Sequence, residues 1–370
     1  MEIFRPFGFD KPLFLATFAL ILIGLIMVFS SSGVKSSDIY DQPFHFFIHQ
    51  IIGAVLGVIL VVGILWIRKP FYQNANIIYA LLLLTLFLLA LSLIMPAMGK
   101  TNRWILFMGL RFQPSELAKI SLILFFAYYL DRKKDKLDDP RTLVFPLSIL
   151  LLFLLMIIKE PDYGTAMLIF LIAAIMLFLG GVKFKYFLAL GIAATGFFAF
   201  YLFQASYRLD RIRAILSPTN DPQGSSFQII QSKLAVGSGG LFGVNIGQSS
   251  QKLFFLPCAH TDYIYAIVGE ELGLLGTMVI LLLFMVILWR GLLISWKAPN
   301  LFSQLAAAGL TLAIFLQAML NISIVLGLGP PTGFPLPLIS YGRSSLICTL
   351  LSIGILLHIS QRKGSSRRKK

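Results

Sequence analysis

The chain has 370 residues, 58% of them hydrophobic and only 13% charged. Apolar runs long enough to cross a bilayer recur from end to end, which excludes a soluble globular domain. The net charge of +15 is spread over the short connections between these runs, a pattern that belongs to membrane orientation and not to nucleic-acid binding.

The expected fold is an all-α polytopic membrane protein, one integral membrane domain over residues 1–370. Ten spans are predicted, at roughly 13–33, 45–67, 76–95, 113–130, 142–158, 164–181, 186–203, 263–289, 302–327 and 343–360. The first, within "PLFLATFALILIGLIMVFSSSG", has the length of a signal peptide. It lacks an A-x-A cleavage site and is read as a retained helix. An even number of spans puts both termini on one side. Most of the short-loop Lys and Arg, including Arg68, Lys69, Arg132, Lys133, Arg141, Lys183 and Arg290, then fall on that same side. The positive-inside rule makes it the cytoplasm, with the basic tail at 361–370 against anionic inner-leaflet lipid.

In chain order, the polar stretches start with "RFQPSELAKI" (111–120), which opens the fourth span. Pro114 suits the first helical turn, and Glu116 and Lys119 share one helix face. They form either a neutralising pair or part of a polar cavity in which Lys119 and Arg111 hold an anion. "KEPDYGTAM" (159–167) opens the sixth span, with Asp162 placed to cap it. The connection between the seventh and eighth spans, about 204–262, is far longer than the rest. Within it "SSFQIIQSKLA" aligns Phe227, Ile230 and Leu234 as the apolar stripe of a short helix on the membrane. The glycines of "GSGGLFGVNIGQ" follow no strand, so they are read as tight turns and close backbone approach, not as a nucleotide loop.

That connection ends in "LPCAHTDYIYAIVGEELG" (256–273), with Asp262 beside His260 and Thr261. Asp262 is either the cap of the eighth span or a general base near apolar walls. Glu270 and Glu271 lie two turns deeper, and only Glu270 has the azimuth to share a cleft with Asp262. "PTGFPLPLISYGRSS" (331–345), stiffened by its prolines, precedes the tenth span and ends in a polar tip carrying Ser344 and Ser345. Such non-helical backbone is tolerated at membrane depth where it lines a cavity. By span parity all of these stretches open on the outer face, as a cleft with Arg103, Arg111, Lys119 and Lys252 as its basic groups. Ionisable groups inside spans mark sites by default. There is no Walker motif and no ATP outside the cell, so no nucleotide is expected. Cys258 and Cys348 lie too far apart in depth for a disulfide, and the His45/His49 pair lacks the further ligands a metal site needs.

"GQSSQKLFFLPCAHTDYIYAIVGEELGLLG", "RFQPSELAKI", "EPDYGTAM" and "GFPLPLISYGRSS" together resemble the SEDS family (shape, elongation, division and sporulation), which includes FtsW and RodA. The resemblance runs from the first span to the last. "QKLFFLPCAHTD" with "GEELG" is closer to the FtsW branch, whereas "IIQSKLAVGSGGL" leans to RodA. It implies a peptidoglycan glycosyltransferase that polymerises lipid II at the outer face of the cytoplasmic membrane. The implied partners are a class B penicillin-binding protein and other divisome or elongasome membrane proteins. The family's essential acid falls on Asp262 and its cavity residues on Arg111, Glu116 and Lys119. Arg103 and Lys252 stand behind these, and His260, Ser344 and Ser345 complete the candidate substrate-binding set. A divalent cation, Mg²⁺ or Mn²⁺, is implied, with unknown ligands. Gly342, Arg343, Ser344 and Ser345 depart from the family's usual Gly-Gly-Ser-Ser. A lipid II flippase and a non-catalytic scaffold remain alternative functions. A flippase calls for polar residues lining the inner side of the cleft as well, where the sequence shows only loop charges.

Overall fold

The computed structural model describes residues 8–95, 102–107, 110–203, 226–253, 256–330 and 333–362. The helices are α1 (Lys11–Tyr40), α2 (His45–Trp66), α3 (Ala75–Ile94), α4 (Pro114–Lys133), α5 (Pro140–Lys159), α6 (Tyr163–Leu179) and α7 (Phe184–Phe203), then α8 (Phe227–Ser238), α9 (Ile264–Trp296), α10 (Leu301–Val325) and α11 (Arg343–Gln361). Between α3 and α4 runs a small antiparallel hairpin of β1 (Ile105–Phe107) and β2 (Leu110–Phe112), pairing Leu106 with Arg111. Each predicted span coincides with a helix. Among the described residues seven helices are long and apolar enough to cross a membrane, namely α1, α2, α3, α5, α9, α10 and α11. The basic tail predicted at 361–370 falls almost wholly outside the described residues.

Burial sorts the helices into two shells. Over their most apolar stretches α11 and α10 are largely buried, at 89% and 67%, whereas α3 and the corresponding stretch of α9 are 28% buried; the first two turns of α9, from Ile264 to Glu271, are buried throughout. α4 is buried along nearly its whole length, from Pro114 to Leu130, and packs on α3, α5, α6, α10 and α11. This explains its modest hydropathy: a helix enclosed by others need not be apolar towards lipid. Close packing of α2 on α11 rests on small residues, as is usual between membrane helices. A Cβ on Gly57 would lie 2.2 Å from Leu350, and one on Gly354 would lie 3.3 Å from Val61.

Local signals set the helix starts. Pro114 occupies the first turn of α4, and Asp162 caps α6 by accepting from Thr165 N at 3.3 Å. At one end of the bundle Asp10 caps α1, accepts from Arg290 of α9, and donates its backbone N–H to Ser360 of α11 at 3.0 Å. Nearby His358 of α11 bridges Tyr72 and the Ile67 carbonyl, each at 2.8 Å. These bonds tie the helix ends together there.

α9 is broken at Gly273, whose φ of 66° and ψ of −163° are not helical. The glycine-rich segment 239–244 runs alongside the break. Gly240 O and Leu241 O accept from Leu274 N and Leu275 N at 2.9 and 3.2 Å, and Val244 N donates to Glu270 O at 3.0 Å. Donors and acceptors freed by the break are thus satisfied within the protein, as membrane depth demands. The expected close backbone approach is what these glycines provide. α8 forms as predicted. Ile229, Ser232 and Ala235 are its buried residues, with Ser232 donating to Val325 O at 2.9 Å, and Leu234 of the predicted membrane stripe is 54% exposed.

Gly273→Ala is expected to destabilise the chain. A Cβ there would lie 2.4 Å from Gly243 N, at a backbone conformation L residues rarely adopt. Such strain costs about 1–3 kcal/mol, before any clash is relieved. A lower thermal midpoint in detergent, followed by size-exclusion elution, checks this.

Candidate active site

At the end of the bundle where α2, α4, α6, α9 and α11 begin, the polar stretches converge. Segment 333–341 is folded into a tight turn, with Ser340 N donating to Leu336 O and Leu336 N to Ser340 Oγ, at 2.9 and 2.7 Å. It dips into the bundle against α1, where a Cβ on Gly24 would stand 2.6 Å from Leu338 O. Gln50 of α2 clasps it from the other side, donating to Ser340 O at 3.0 Å and accepting from Gly342 N at 3.2 Å.

Asp262 lies on the neighbouring segment. The three carbonyls from His260 to Asp262 are all engaged: Tyr341 N donates to His260 O at 2.9 Å, Ser340 Oγ to Thr261 O at 2.6 Å, and Asn321 Nδ2 to Asp262 O at 2.7 Å. The carboxylate is half-exposed and faces Gly333, where a Cβ would be 3.4 Å from Oδ2. Tyr263 occupies the cap position of α9, one residue after Asp262, and its own side chain makes no cap hydrogen bond.

His260 is buried between aromatic rings, 4.8 Å from Phe46 and 5.8 Å from Tyr341, with Nδ1 lacking a hydrogen-bond partner among the described residues. Burial, helped by the charge of Lys35, pushes it down to about 4. Burial also raises the Cys258 thiol, with Asp262 adding to the effect. Lys35, part-buried near the end of α1, is thus within electrostatic reach of His260 and Cys258. Arg343 lies along Gly53 of α2, and its charge and that of Arg111 both reach His45.

The other candidate residues have specific places. Arg111 is exposed on β2. Lys119 is buried and paired with Glu116 at 2.9 Å, and also donates to Gln317. They border a small cavity of about 20 Å³ lined in part by Gln317, Cys348 and Thr349, room for about one water. Ser344 and Ser345 are buried at the start of α11, their hydroxyls without partners among the described residues. Arg103 donates to the carbonyls of Glu160 and Pro161 and stands 3.9 Å from Asp162. Asp162 also accepts from Gln113 at 3.0 Å and so ties the hairpin to α6. Beside it, burial pushes Glu160 up to about 8, against the pull of its hydrogen bond from Ser92. Lys252 does not face the cleft: it is buried, 2.7 Å from Glu271, and donates to Ser30. Glu270 accepts from Ser249, Ser250 and Gln251, so it too is turned away from Asp262. Unpaired buried charges are costly in hydrocarbon, and these groups pair with one another.

Sequence reasoning passed over Lys35, Gln317 and Asn321. Lys35 lies beyond the apolar run of the first span, in a polar stretch that continues the helix to Tyr40. Gln317 and Asn321 are amides one turn apart inside an apolar span, and that spacing was the available signal. Among the described residues no three His, Cys, Asp or Glu side chains converge on one point. A divalent cation carried on a diphosphate is met by only one or two carboxylates and needs no such cluster.

Residues 11–365 match the model of a family described as cell cycle protein, which groups FtsW, RodA and SpoVE. The chain belongs to this family. It is 40% identical to the probable peptidoglycan glycosyltransferase FtsW of Geobacter sulfurreducens, over 96% of this chain and 95% of that one. It is also 40% identical to stage V sporulation protein E of Bacillus subtilis, over 95% and 97% of the two chains. The names of these relatives fall on the FtsW side rather than the RodA side. Its fold matches a chain of a solved peptidoglycan synthase complex, described as coordinating polymerization and crosslinking, with a TM-score of 0.78 and 25% identity over 97% and 99% of the two chains. The rod shape determining protein RodA of Thermus thermophilus, 24% identical over 96% and 98% of the two chains, shares the fold with a TM-score of 0.70.

Because His260 is held neutral when folded, stability is expected to fall with acid. The unfolded side chain takes a proton near pH 6.5 and the folded one only near 4. Between these values the unfolded state binds more protons, and stability is lost as pH drops through the window, by up to about 3 kcal/mol. Thermal midpoints of the wild type and His260→Gln across pH 4–7 check this, with a shallower slope expected in the variant.

Proposed function

We propose that this multi-pass membrane protein is a peptidoglycan glycosyltransferase that polymerises lipid II, with Asp262 as its general base. The carrying observation is the place of Asp262: a part-buried acid at the mouth of the bundle, on a backbone held at three consecutive carbonyls and just ahead of the start of α9. In this reading the ten helices other than α8 span the cytoplasmic membrane, both termini lie in the cytoplasm, and the site opens outward. The distribution of Lys and Arg supports that orientation.

Lipid II carries its own leaving group, so no nucleotide is required. The acceptor sugar's 4-hydroxyl attacks the anomeric carbon of the donor. As the new C–O bond forms, its proton passes to the Asp262 carboxylate and the bond from the anomeric carbon to the lipid diphosphate breaks. Negative charge gathers on the departing diphosphate, where Arg111 and Lys35 are the cations at hand. Lys119 and Lys252 are already neutralised by Glu116 and Glu271 and serve the framework in this reading. Arg103 does the same through Asp162. A divalent cation, Mg²⁺ or Mn²⁺, would travel with the diphosphate.

The complex named in the structural match supports a class B penicillin-binding protein as partner. A flippase has less support: the end of the bundle opposite Asp262 is tied by Asp10, Arg290 and Ser360, and by Tyr72 with His358. The test is polymerisation of lipid II by the purified chain with its partner and Mg²⁺ or Mn²⁺, read as glycan products on a gel. Asp262→Asn is expected to keep partner binding and lose polymer by at least about 100-fold, the usual worth of general base catalysis. Polymer at the wild-type rate from that variant rejects the base assignment.

A further inference from the structure

Two buried amides of α10 connect the Glu116–Lys119 pair to the backbone of Asp262. Gln317 and Asn321 are one turn apart on the same helix face, 3% and 1% exposed. Gln317 Nε2 donates to Pro335 O at 3.0 Å, and Asn321 Nδ2 donates to Phe334 O at 2.6 Å as well as to Asp262 O at 2.7 Å. The two side chains therefore grip consecutive carbonyls of segment 333–341, and one of them also grips Asp262. This is the segment whose Gly333 abuts the Asp262 carboxylate.

Lys119 sets the direction of the grip. An ammonium can only donate, so Gln317 must turn Oε1 towards it, and its Nε2 is thereby aimed at Pro335 O. Glu116 balances the lysine's charge at 2.9 Å. Asn321 keeps its two acceptors while Oδ1 stays buried without a partner among the described residues. A residue retained only for stability gains nothing from that unmet acceptor.

We infer that Gln317 and Asn321 are positioning residues for Asp262, and that Lys119 acts on the reaction through Gln317, not by touching the substrate diphosphate. The inference rests on the general-base reading of Asp262. In it, Glu116, Lys119, Gln317 and Asn321 form one relay that fixes the depth of the 333–341 segment and the backbone of the acid. Small displacements of a reacting group cost about 100-fold in rate.

The experiment measures kcat and KM for lipid II polymerisation by the full chain with its partner, using Asn321→Leu, Gln317→Glu, Lys119→Met, the Lys119→Met/Gln317→Leu double variant and Asp262→Asn. Asn321→Leu and Lys119→Met are expected to lose about 100-fold in kcat with KM within about twofold of wild type. Gln317→Glu keeps an acceptor for Lys119 but has no donor for Pro335 O, and is expected to lose kcat in the same way. The double variant is expected to lose no more than about what Lys119→Met loses alone, because both changes cut one relay. Should Asn321→Leu fail to fold, Gln317→Glu, which preserves size and the lysine contact, carries the decision. A raised KM with unchanged kcat in Lys119→Met overturns the relay and makes that lysine a substrate ligand. Wild-type kcat in Asn321→Leu or Gln317→Glu, beside an inactive Asp262→Asn, also overturns the relay and leaves the base assignment standing. An active Asp262→Asn overturns the reading beneath both.

Discussion

The hydrogen bonds that hold the carbonyls of His260, Thr261 and Asp262 are the constraint on which the site depends. They come from Tyr341, Ser340 and Asn321, which belong to a re-entrant segment and to a buried helix. Neither segment on its own would be rigid: one is a turn leading into α9, and the other is irregular backbone dipping into the bundle. Each completes the hydrogen bonding of the other, which is how non-helical backbone survives at membrane depth. The result is a carboxylate on a fixed main chain, left half-exposed at the mouth of the bundle.

Charge placement follows the same logic. The framework contains several buried ionisable groups held in matched pairs: Lys119 with Glu116, Lys252 with Glu271, Arg290 with Asp10. Pairing of this kind removes a cation from service as a ligand. Lys119, Lys252 and Arg290 thus stabilise the helix bundle and keep the cleft in shape, while Arg111 is exposed on β2.

Much of this was legible in the sequence, because long apolar runs, Pro114 in a first turn and Asp162 before a helix are local signals with local causes. Gly239 and Gly243 read correctly as sites of close approach, Gly240 and Gly247 as turns of positive φ, and the four polar stretches do meet. What stayed hidden depended on partners far along the chain. Lys252 looked like a cleft residue because nothing local shows that Glu271 neutralises it. Gln317 and Asn321 drew no notice in an apolar span, and only the fold shows what they hold. The sequence leaves Asp262 open between cap and base; the fold adds that α9 starts one residue later, at Tyr263.

The central claim is that the position of this carboxylate, and not merely its charge, drives glycan synthesis. Asp262→Glu tests it most directly, since it keeps the acid and moves it by one methylene. Polymerisation of lipid II by that variant with its partner is expected to fall at least about 100-fold while partner binding and thermal midpoint hold. A rate close to wild type would contradict the claim, because an acid whose place can shift freely needs no such anchoring.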